Sequence, residues 1–176
     1  MKAIFLPGNS IRNKEWVEEL EKNLRGIFDK TEIQYYKHWK SEKEKVDVEH
    51  EVSVLMNNLS DSKECIIIAK SVGTYIAMDA VKKGIKPRKV IFLGFPYRWF
   101  IENNLEKEAE KINLIKVPIL FLQNSEDPFC SYEKLLNFLK GSKLKNYKTY
   151  KFEDNNTHDY REYKKINNAI QEFLKK

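Results

Sequence analysis

Residues 65–73 read Cys-Ile-Ile-Ile-Ala-Lys-Ser-Val-Gly and carry more information about the architecture than any other segment. The apolar run at their start predicts a buried strand, and residues 74–83 have the composition of a helix. A serine at such a strand-to-helix turn, with small residues two positions away on either side, is typical of a nucleophile elbow. The small residues are Gly73 and Ala69, which stands where the usual pattern has glycine. We therefore predict that Ser71 has a strained backbone and a hydroxyl lifted clear of the sheet.

Around this stretch, short apolar runs alternate with amphipathic segments along the whole chain. Strands are predicted at residues 2–6, 32–36, 64–69, 89–93, 117–122 and 147–152. Helices are predicted at residues 13–28, 47–59, 74–83 and 101–114, after Ser131 as N-cap, and over the apolar positions from residue 163 to 174. Strict alternation predicts a three-layer α/β/α fold, with a parallel sheet of about six strands and right-handed crossovers.

The composition is that of a globular protein. With 176 residues, of which 41% are hydrophobic and 33% charged, the chain is expected to form one domain over residues 1–176. No apolar run is long enough to cross a membrane, and the run at the N-terminus is too short for a signal peptide. We therefore expect a cytoplasmic protein with no membrane partner. Cys65 and Cys130 have no metal-ligand spacing, so we expect no metal site and two reduced thiols.

The net charge of +6 raises the question of a polyanionic partner. Only five of the 32 basic residues are arginine, and the lysines are scattered through nearly every segment. That distribution indicates a lysine-rich composition and not a binding stripe, so we expect no nucleic-acid partner. The mixed charged run at residues 42–45 predicts a solvated loop, and no feature indicates an obligate assembly.

A serine hydroxyl becomes a nucleophile when a base removes its proton, and that base is usually a histidine oriented by a carboxylate. In a parallel sheet, the partners of Ser71 should lie beyond the carboxyl ends of the strands. His158 lies in the polar loop that follows the last predicted strand, at the edge where a base is required. We interpret His38 and His50 as surface or structural residues.

The carboxylate candidate is Asp127, in the loop after the strand at residues 117–122. Pro128 stiffens this loop and Ser131 begins the next helix, so the aspartate lies on a fixed turn. Glu126 is the rival acid, while Asp127 itself could be an ordinary turn carboxylate. The remaining candidates, close to His158 in sequence but expected to point elsewhere, are Asp154 and Asp159.

An oxyanion hole needs two preorganised N–H donors. One would be the backbone N–H of Val72, the residue after the nucleophile. The other would be that of Asn9, because Gly8 permits an unusual backbone in the loop after the first strand. A phosphate-binding loop is the competing interpretation. We discount it because the second glycine and the lysine of such loops are missing.

The order Ser71, Asp127, His158 is that of the α/β-hydrolases. With Leu6-Pro7-Gly8-Asn9, Ala69-Lys70-Ser71-Val72-Gly73 and Asp127-Pro128-Phe129, nearly the whole chain resembles a small α/β-hydrolase. It is most similar to the compact serine hydrolases that include the retinoblastoma-binding hydrolase and its bacterial relatives. The resemblance implies the strand order 2-1-3-4-5-6. Lys70 departs from the family, which often has histidine, an acid or an amide there; it would either favour an anionic substrate or be solvated at the pocket rim.

The segment Gly94-Phe95-Pro96-Tyr97-Arg98-Trp99-Phe100 follows the fourth predicted strand, where this fold commonly carries lid or pocket residues. Its aromatic side chains, including Phe95, Tyr97 and Trp99, would form an apolar wall for an acyl group. Arg98 would meet a carboxylate or phosphate. The alternative interpretation is that these aromatic residues pack as ordinary core.

These observations predict a serine hydrolase that acts on a small-molecule ester or thioester, with neither metal nor organic cofactor. Ser71 would attack the carbonyl, His158 would move the proton and Asp127 would orient the imidazole. A non-catalytic protein-interaction module on the same fold is the main alternative, since a fold does not determine function. A flavodoxin-like binder of a cofactor or phosphate shares the alternating pattern but leaves the order of these three residues unexplained.

Overall fold

The computed structural model of the protein describes residues 1–41, 45–59 and 65–175. Six parallel strands form one sheet in the order β2-β1-β3-β4-β5-β6, which confirms the predicted fold class and strand order. The strands are β1 (Lys2–Leu6), β2 (Lys30–Ile33), β3 (Cys65–Lys70), β4 (Lys89–Leu93), β5 (Ile119–Asn124) and β6 (Tyr147–Phe152). Residue 64 of the predicted third strand and residues 42–44 of the charged run lie outside the described residues.

Helices cover both faces of the sheet. Within the described ranges they are α1 (Asn13–Leu24), α2 (Val48–Leu59), α3 (Val72–Lys82), α4 (Tyr97–Glu102), α5 (Glu106–Ala109), α6 (Tyr132–Gly141) and α7 (Tyr163–Leu174). Shorter 3-10 turns follow α1, β2 and α5, at Arg25–Ile27, Lys37–Lys40 and Glu110–Leu114. None of these helices is long and apolar enough to cross a membrane.

The side chains of β1 show how one strand supplies two cores. Ile4 and Leu6 belong to the apolar cluster under α2, α3 and α6, whereas Ala3 and Phe5 belong to the cluster under α1 and α7. Successive side chains of a strand point to opposite faces, so a strand covered on both sides must be apolar throughout. This produces the near-continuous apolar runs of the sequence and its three layers.

Three predicted strands differ from the structure in their bounds, and β3 does so by continuing to Lys70, one residue beyond its predicted end. β5 begins at Ile119 and not at residue 117, because Pro118 has no N–H with which to join the ladder, and it continues to Asn124. β2 covers residues 30–33 and not 32–36. The last bond of the segment to β1 is from the Gln34 N–H to the Phe5 carbonyl oxygen, and the chain then leaves the sheet edge. Tyr36 contacts the loop after β1 through its side chain, whose hydroxyl donates to the Pro7 carbonyl oxygen.

The predicted helix over residues 101–114 is wrong. α4 begins earlier, at Tyr97, and ends at Glu102. Two residues further on, Asn104 adopts a positive φ of 56°. The N–H of Leu105 donates to Phe100, and that of Asn104 to Ile101, which is the hydrogen-bond pattern of a Schellman stop. Asparagine tolerates the left-handed conformation, so this site ends the helix although the apolar spacing continues.

Candidate active site

Ser71 lies on the turn between β3 and α3, with φ 54° and ψ −123°. A residue with a side chain in this region costs about 1–3 kcal/mol of strain, and surrounding hydrogen bonds must hold it there. The Ser71 N–H donates to the Leu93 carbonyl oxygen at 3.1 Å. Its own carbonyl oxygen accepts from the N–H and the hydroxyl of Thr74, at 2.9 and 2.7 Å. The predicted strained turn is confirmed.

Gly73 allows the first turn of α3 to cross the end of β1. A Cβ at this position would lie 2.8 Å from the carbonyl oxygen of Pro7 and closer still to that of Leu6. These are backbone atoms of a central strand and of the loop that follows it, so they cannot swing aside. The glycine therefore brings the nucleophile turn against the loop that carries Asn9.

Gly73→Ala is expected to destabilise the protein by about 1–3 kcal/mol, because the added methyl group forces α3 and β1 apart. Gly141→Ala is the matched control, since a Cβ built there has no atom within 4 Å apart from those of its chain neighbours and its own helix backbone. Denaturant unfolding of both variants measures the difference. Equal stability of Gly73→Ala and the wild type would contradict the close approach.

Asp127, which is buried, and His158, which is partly buried, form a hydrogen-bonded pair at the carboxyl edge of the sheet. Nδ1 of His158 lies 2.7 Å from Oδ2 of Asp127, whose side chain is fully buried. The second carboxylate oxygen, Oδ1, accepts from the Phe129 N–H at 2.8 Å. The rival acid Glu126 is exposed, as are Asp154 and Asp159. The structure thus brings together the predicted acid and the predicted base, 31 residues apart in the chain.

Tyr160 is a further partner of this pair that the sequence analysis missed. Its hydroxyl donates to Oδ2 of Asp127 at 2.7 Å and accepts from the Asn124 N–H at 3.1 Å. Burial, and then the charge of Asp127, raise the pKa of this hydroxyl well above its usual value, so it remains a donor. The available signal was a large aromatic residue two positions after the histidine in an otherwise polar loop.

The loops of the acid and the base are also joined through the end of β5. Nδ2 of Asn124 donates to the carbonyl oxygens of Thr157 and Asp159, at 2.8 and 3.1 Å, on either side of His158. The Ser125 hydroxyl and the Asn155 backbone are hydrogen bonded to each other. These bonds fix where the imidazole lies relative to the sheet.

Two observations connect the surroundings of His158 with those of Ser71. A Cβ on Gly94, which has a positive φ of 59°, would lie 2.8 Å from Cε1 of the imidazole, and the preceding residue, Leu93, holds the Ser71 N–H. Phe129 lines the same cavity as Ser71, and its ring centroid is 4.6 Å from that of His158. Nε2 of His158 is buried and has no hydrogen-bond partner among the described residues, the Ser71 hydroxyl included. Such bonds often form only when substrate is bound.

Residues that follow β2 in the chain form hydrogen bonds to the loop that carries Asn9. The Asn9 carbonyl oxygen accepts from Nε2 of His38 and from Nε1 of Trp39, both at 2.8 Å. Its side-chain oxygen accepts from the Val46 N–H at 2.8 Å. His38, interpreted from the sequence as a surface or structural residue, is buried and supports this loop.

A cavity of about 290 Å³ opens at Ser71. Its walls are mostly apolar, and they also carry the two predicted oxyanion donors. The lining residues are Asn9, Lys45, Val46, Val48, Ser71, Val72, Trp99, Asn103 and Phe129. One aromatic residue of the segment at 94–100, Trp99, therefore lines the cavity at the nucleophile.

The other predicted substrate-binding residues lie away from this cavity. Phe95 is fully buried in the core, and the ring of Tyr97 packs 4.7 Å from that of Phe138. Arg98 is exposed and pairs with Glu102 at 2.6 Å. Lys70 is only 3% exposed and so is not solvated at a pocket rim. Burial lowers the pKa of Lys70 to about 8, partly offset by the charges of Asp159 and Asp127.

No cluster of three or more His, Cys, Asp or Glu side chains within the described ranges is arranged to hold a metal ion. Both cysteines are free and buried. Burial raises the pKa of the Cys130 thiol to about 12, so it remains protonated. The candidate reactive groups at this edge of the sheet are those predicted from the sequence, namely the serine, the imidazole and the carboxylate.

Ser71 follows a central strand of this parallel sheet, on a strained strand-to-helix turn. The chain belongs to the alpha/beta hydrolase domain family, whose sequence profile matches residues 30–176. It is therefore a member of a hydrolase family. No curated protein sequence matches the chain.

Three solved structures illustrate how far the likeness of fold extends. Alpha/beta hydrolase domain-containing protein 10 from mouse superposes with a TM-score of 0.73 at 12% identity, covering 99% of this chain and 89% of that one. Est1E from Butyrivibrio proteoclasticus, solved with ferulic acid, superposes with a TM-score of 0.75 at 14% identity, covering 98% of this chain and 87% of that one. The monoacylglycerol lipase of Paleococcus ferrophilus superposes with a TM-score of 0.66 at 14% identity, covering 98% of this chain and 93% of that one. At these identities the likeness concerns the fold alone.

Proposed function

We propose that this protein is a serine hydrolase that cleaves a small carboxylic ester or thioester through an acyl-enzyme intermediate. The observations that carry the proposal are the hydrogen bond between Asp127 and His158, the buried Nε2 of His158, which has no partner among the described residues, and the strained backbone of Ser71. Among compact enzymes of this family, we place it with those that include the retinoblastoma-binding hydrolase.

In the proposed reaction, Oγ of Ser71 attacks the substrate carbonyl carbon while Nε2 of His158 takes the hydroxyl proton. The same nitrogen then gives this proton to the leaving oxygen or sulfur, which departs as an alcohol or thiol. Water repeats the cycle on the acyl-enzyme and releases the acid. Asp127 accepts a hydrogen bond from the imidazole throughout, which keeps the lone pair on Nε2 and stabilises the imidazolium.

The backbone N–H groups of Val72 and Asn9 would bind the oxyanion. Both residues line the cavity at Ser71, and Val72 begins α3, whose N-terminus carries partial positive charge. Each such donor contributes on the order of 10²–10³ to the rate. The close approach of α3 to the end of β1 at Gly73 supports this pairing of donors.

The cavity indicates a short, apolar acyl group. Val46, Val48 and Trp99 form walls without a buried charge, and about 290 Å³ accommodates roughly ten groups of the size of water. Ester cleavage also agrees with the likeness of the fold to that of a monoacylglycerol lipase.

A series of p-nitrophenyl esters from acetate to palmitate tests this proposal. We expect kcat/KM to rise by up to about fourfold per added methylene, the free energy of burying one such group, until the cavity is full. It should then fall for chains longer than about eight carbons. Failure to hydrolyse any ester of the series would contradict the proposal and favour the non-catalytic interaction module.

A further inference from the structure

Lys70 is buried where a charge is costly. It is the last residue of β3, directly before Ser71, yet its side chain does not line the cavity of the nucleophile. Nζ donates to Oδ1 of Asn13 at 2.8 Å and lies 4.8 Å from the ring centroid of Trp16. These direct partners are an amide oxygen and an indole ring, which carry no net charge, and the charges of Asp159 and Asp127 offset the cost of burying the ammonium group only in part.

Asn13 extends this contact to the loop after β1. Its Nδ2 donates to the carbonyl oxygen of Ser10 at 3.0 Å, and its backbone N–H donates to the same oxygen at 2.9 Å. Its side chain also packs on Gly8, where a Cβ would lie 2.9 Å from Nδ2. A continuous set of hydrogen bonds therefore runs from Lys70 through Asn13 to the loop at residues 8–10.

The opposite side of this loop is held by His38, Trp39 and Val46, which all donate to Asn9. Those bonds tie the loop to residues that follow β2, but not to the nucleophile turn. The bond from Lys70 comes from the residue next to Ser71. It therefore links the loop at residues 8–10 to the nucleophile turn at Ser71. In the proposed reaction, this loop and this turn each supply one oxyanion donor.

We propose that Lys70 is a positioning residue, which acts through Asn13 to hold the N–H of Asn9 in register with that of Val72. This inference rests on the proposed serine hydrolysis. A lysine suits the task because its stem reaches across the end of β1, which pairs directly with β3, while its head donates to an amide oxygen. Misplacing one oxyanion donor by about 1 Å is enough to cost up to about 10²-fold in rate.

The test compares Lys70→Met, Asn13→Asp and the double variant. Methionine keeps the length and fills the space on Trp16 but donates no hydrogen bond. Aspartate keeps the acceptor for Lys70 but loses the donor to Ser10. We expect each single variant to lower kcat by about 10–100-fold with KM changed less than about threefold, and the double variant to be no worse than either.

Lys89→Met is the matched control. Nζ of Lys89 also donates to uncharged oxygens, those of Phe173 and Leu174, and lies 5.0 Å from the Phe173 ring centroid, but it stands at the opposite end of the sheet. It should keep the wild-type kcat. Binding of an alkyl boronic acid, which forms a tetrahedral adduct on the serine, should weaken in Lys70→Met by the same factor as kcat.

The outcomes separate this inference from the function on which it rests. A wild-type protein that neither hydrolyses esters nor binds the boronic acid overturns the proposed function. An active wild type with kcat unchanged within about twofold in folded Lys70→Met overturns the role of Lys70, as does an equal loss in Lys89→Met. If Lys70→Met does not fold, Asn13→Asp alone decides by the same criteria.

Discussion

Replacing Ser71 with alanine is expected to lower kcat for ester hydrolysis by about 10⁵-fold or more. Alanine removes the attacking Oγ and leaves the cavity and the pair of Asp127 and His158 in place. The backbone hydrogen bonds of residue 71, from its N–H to Leu93 and from Thr74 to its carbonyl oxygen, do not involve the hydroxyl. The free energy of unfolding should therefore change by less than about 0.5 kcal/mol.

Saturation kinetics with the best ester of the series measure this loss, and thermal unfolding checks the fold. Ser53→Ala is the control, because the Ser53 hydroxyl lies on the exposed face of α2 and donates to the Glu49 carbonyl oxygen at 2.9 Å. It should retain the wild-type kcat. Hydrolysis by Ser71→Ala at more than about a hundredth of the wild-type rate would mean that another group is the nucleophile.

Asp127→Asn is expected to lower kcat by about 10⁴-fold at neutral pH, with little change in KM. The carboxylate accepts three hydrogen bonds, from His158, Tyr160 and Phe129. An asparagine of the same shape replaces one acceptor oxygen with an NH₂ donor. When this donor faces Nδ1 of His158, the imidazole must carry its proton on Nε2, where it can no longer accept one from Ser71.

Glu126→Gln provides the comparison, since Glu126 is the adjacent and exposed carboxylate. We expect its kcat to stay within about twofold of the wild-type value. Both variants are measured with the same ester from pH 5 to 9. A large loss in Glu126→Gln combined with near-normal Asp127→Asn would contradict the assignment of the acid.

The sheet could be predicted because its four central strands are buried on both faces. β1 and β4 have the predicted bounds, since a strand that helices cover on both sides is a near-continuous apolar run. The edge strand β6 also has the predicted bounds, and its residues alternate between partly buried and exposed positions. The break in the predicted helix over residues 101–114 could not be predicted from the spacing of apolar residues. It depends on a left-handed Asn104, and local backbone hydrogen bonds decide there against the apolar spacing.

The candidate site likewise has one part that could be predicted from the sequence and another that could not. Parallel topology alone requires the loops after β3, β5 and β6 to meet at one edge, so Ser71, Asp127 and His158 could be proposed from the sequence. The support of His38 for Asn9 joins residues 29 positions apart through side-chain directions that no pattern records. Lys70 was misplaced for the same reason, since its side chain turns toward Asn13 and Trp16 and away from the cavity.

The central claim, an activated serine at residue 71, is tested most directly by intact-mass spectrometry after incubation with an alkyl fluorophosphonate. Oγ of an activated serine displaces fluoride, so the mass increases by one phosphonyl group. We predict a single adduct on the wild type, none on Ser71→Ala and a strongly slowed reaction on His158→Ala. A wild type that remains unmodified, or an equal adduct on Ser71→Ala, would contradict the account.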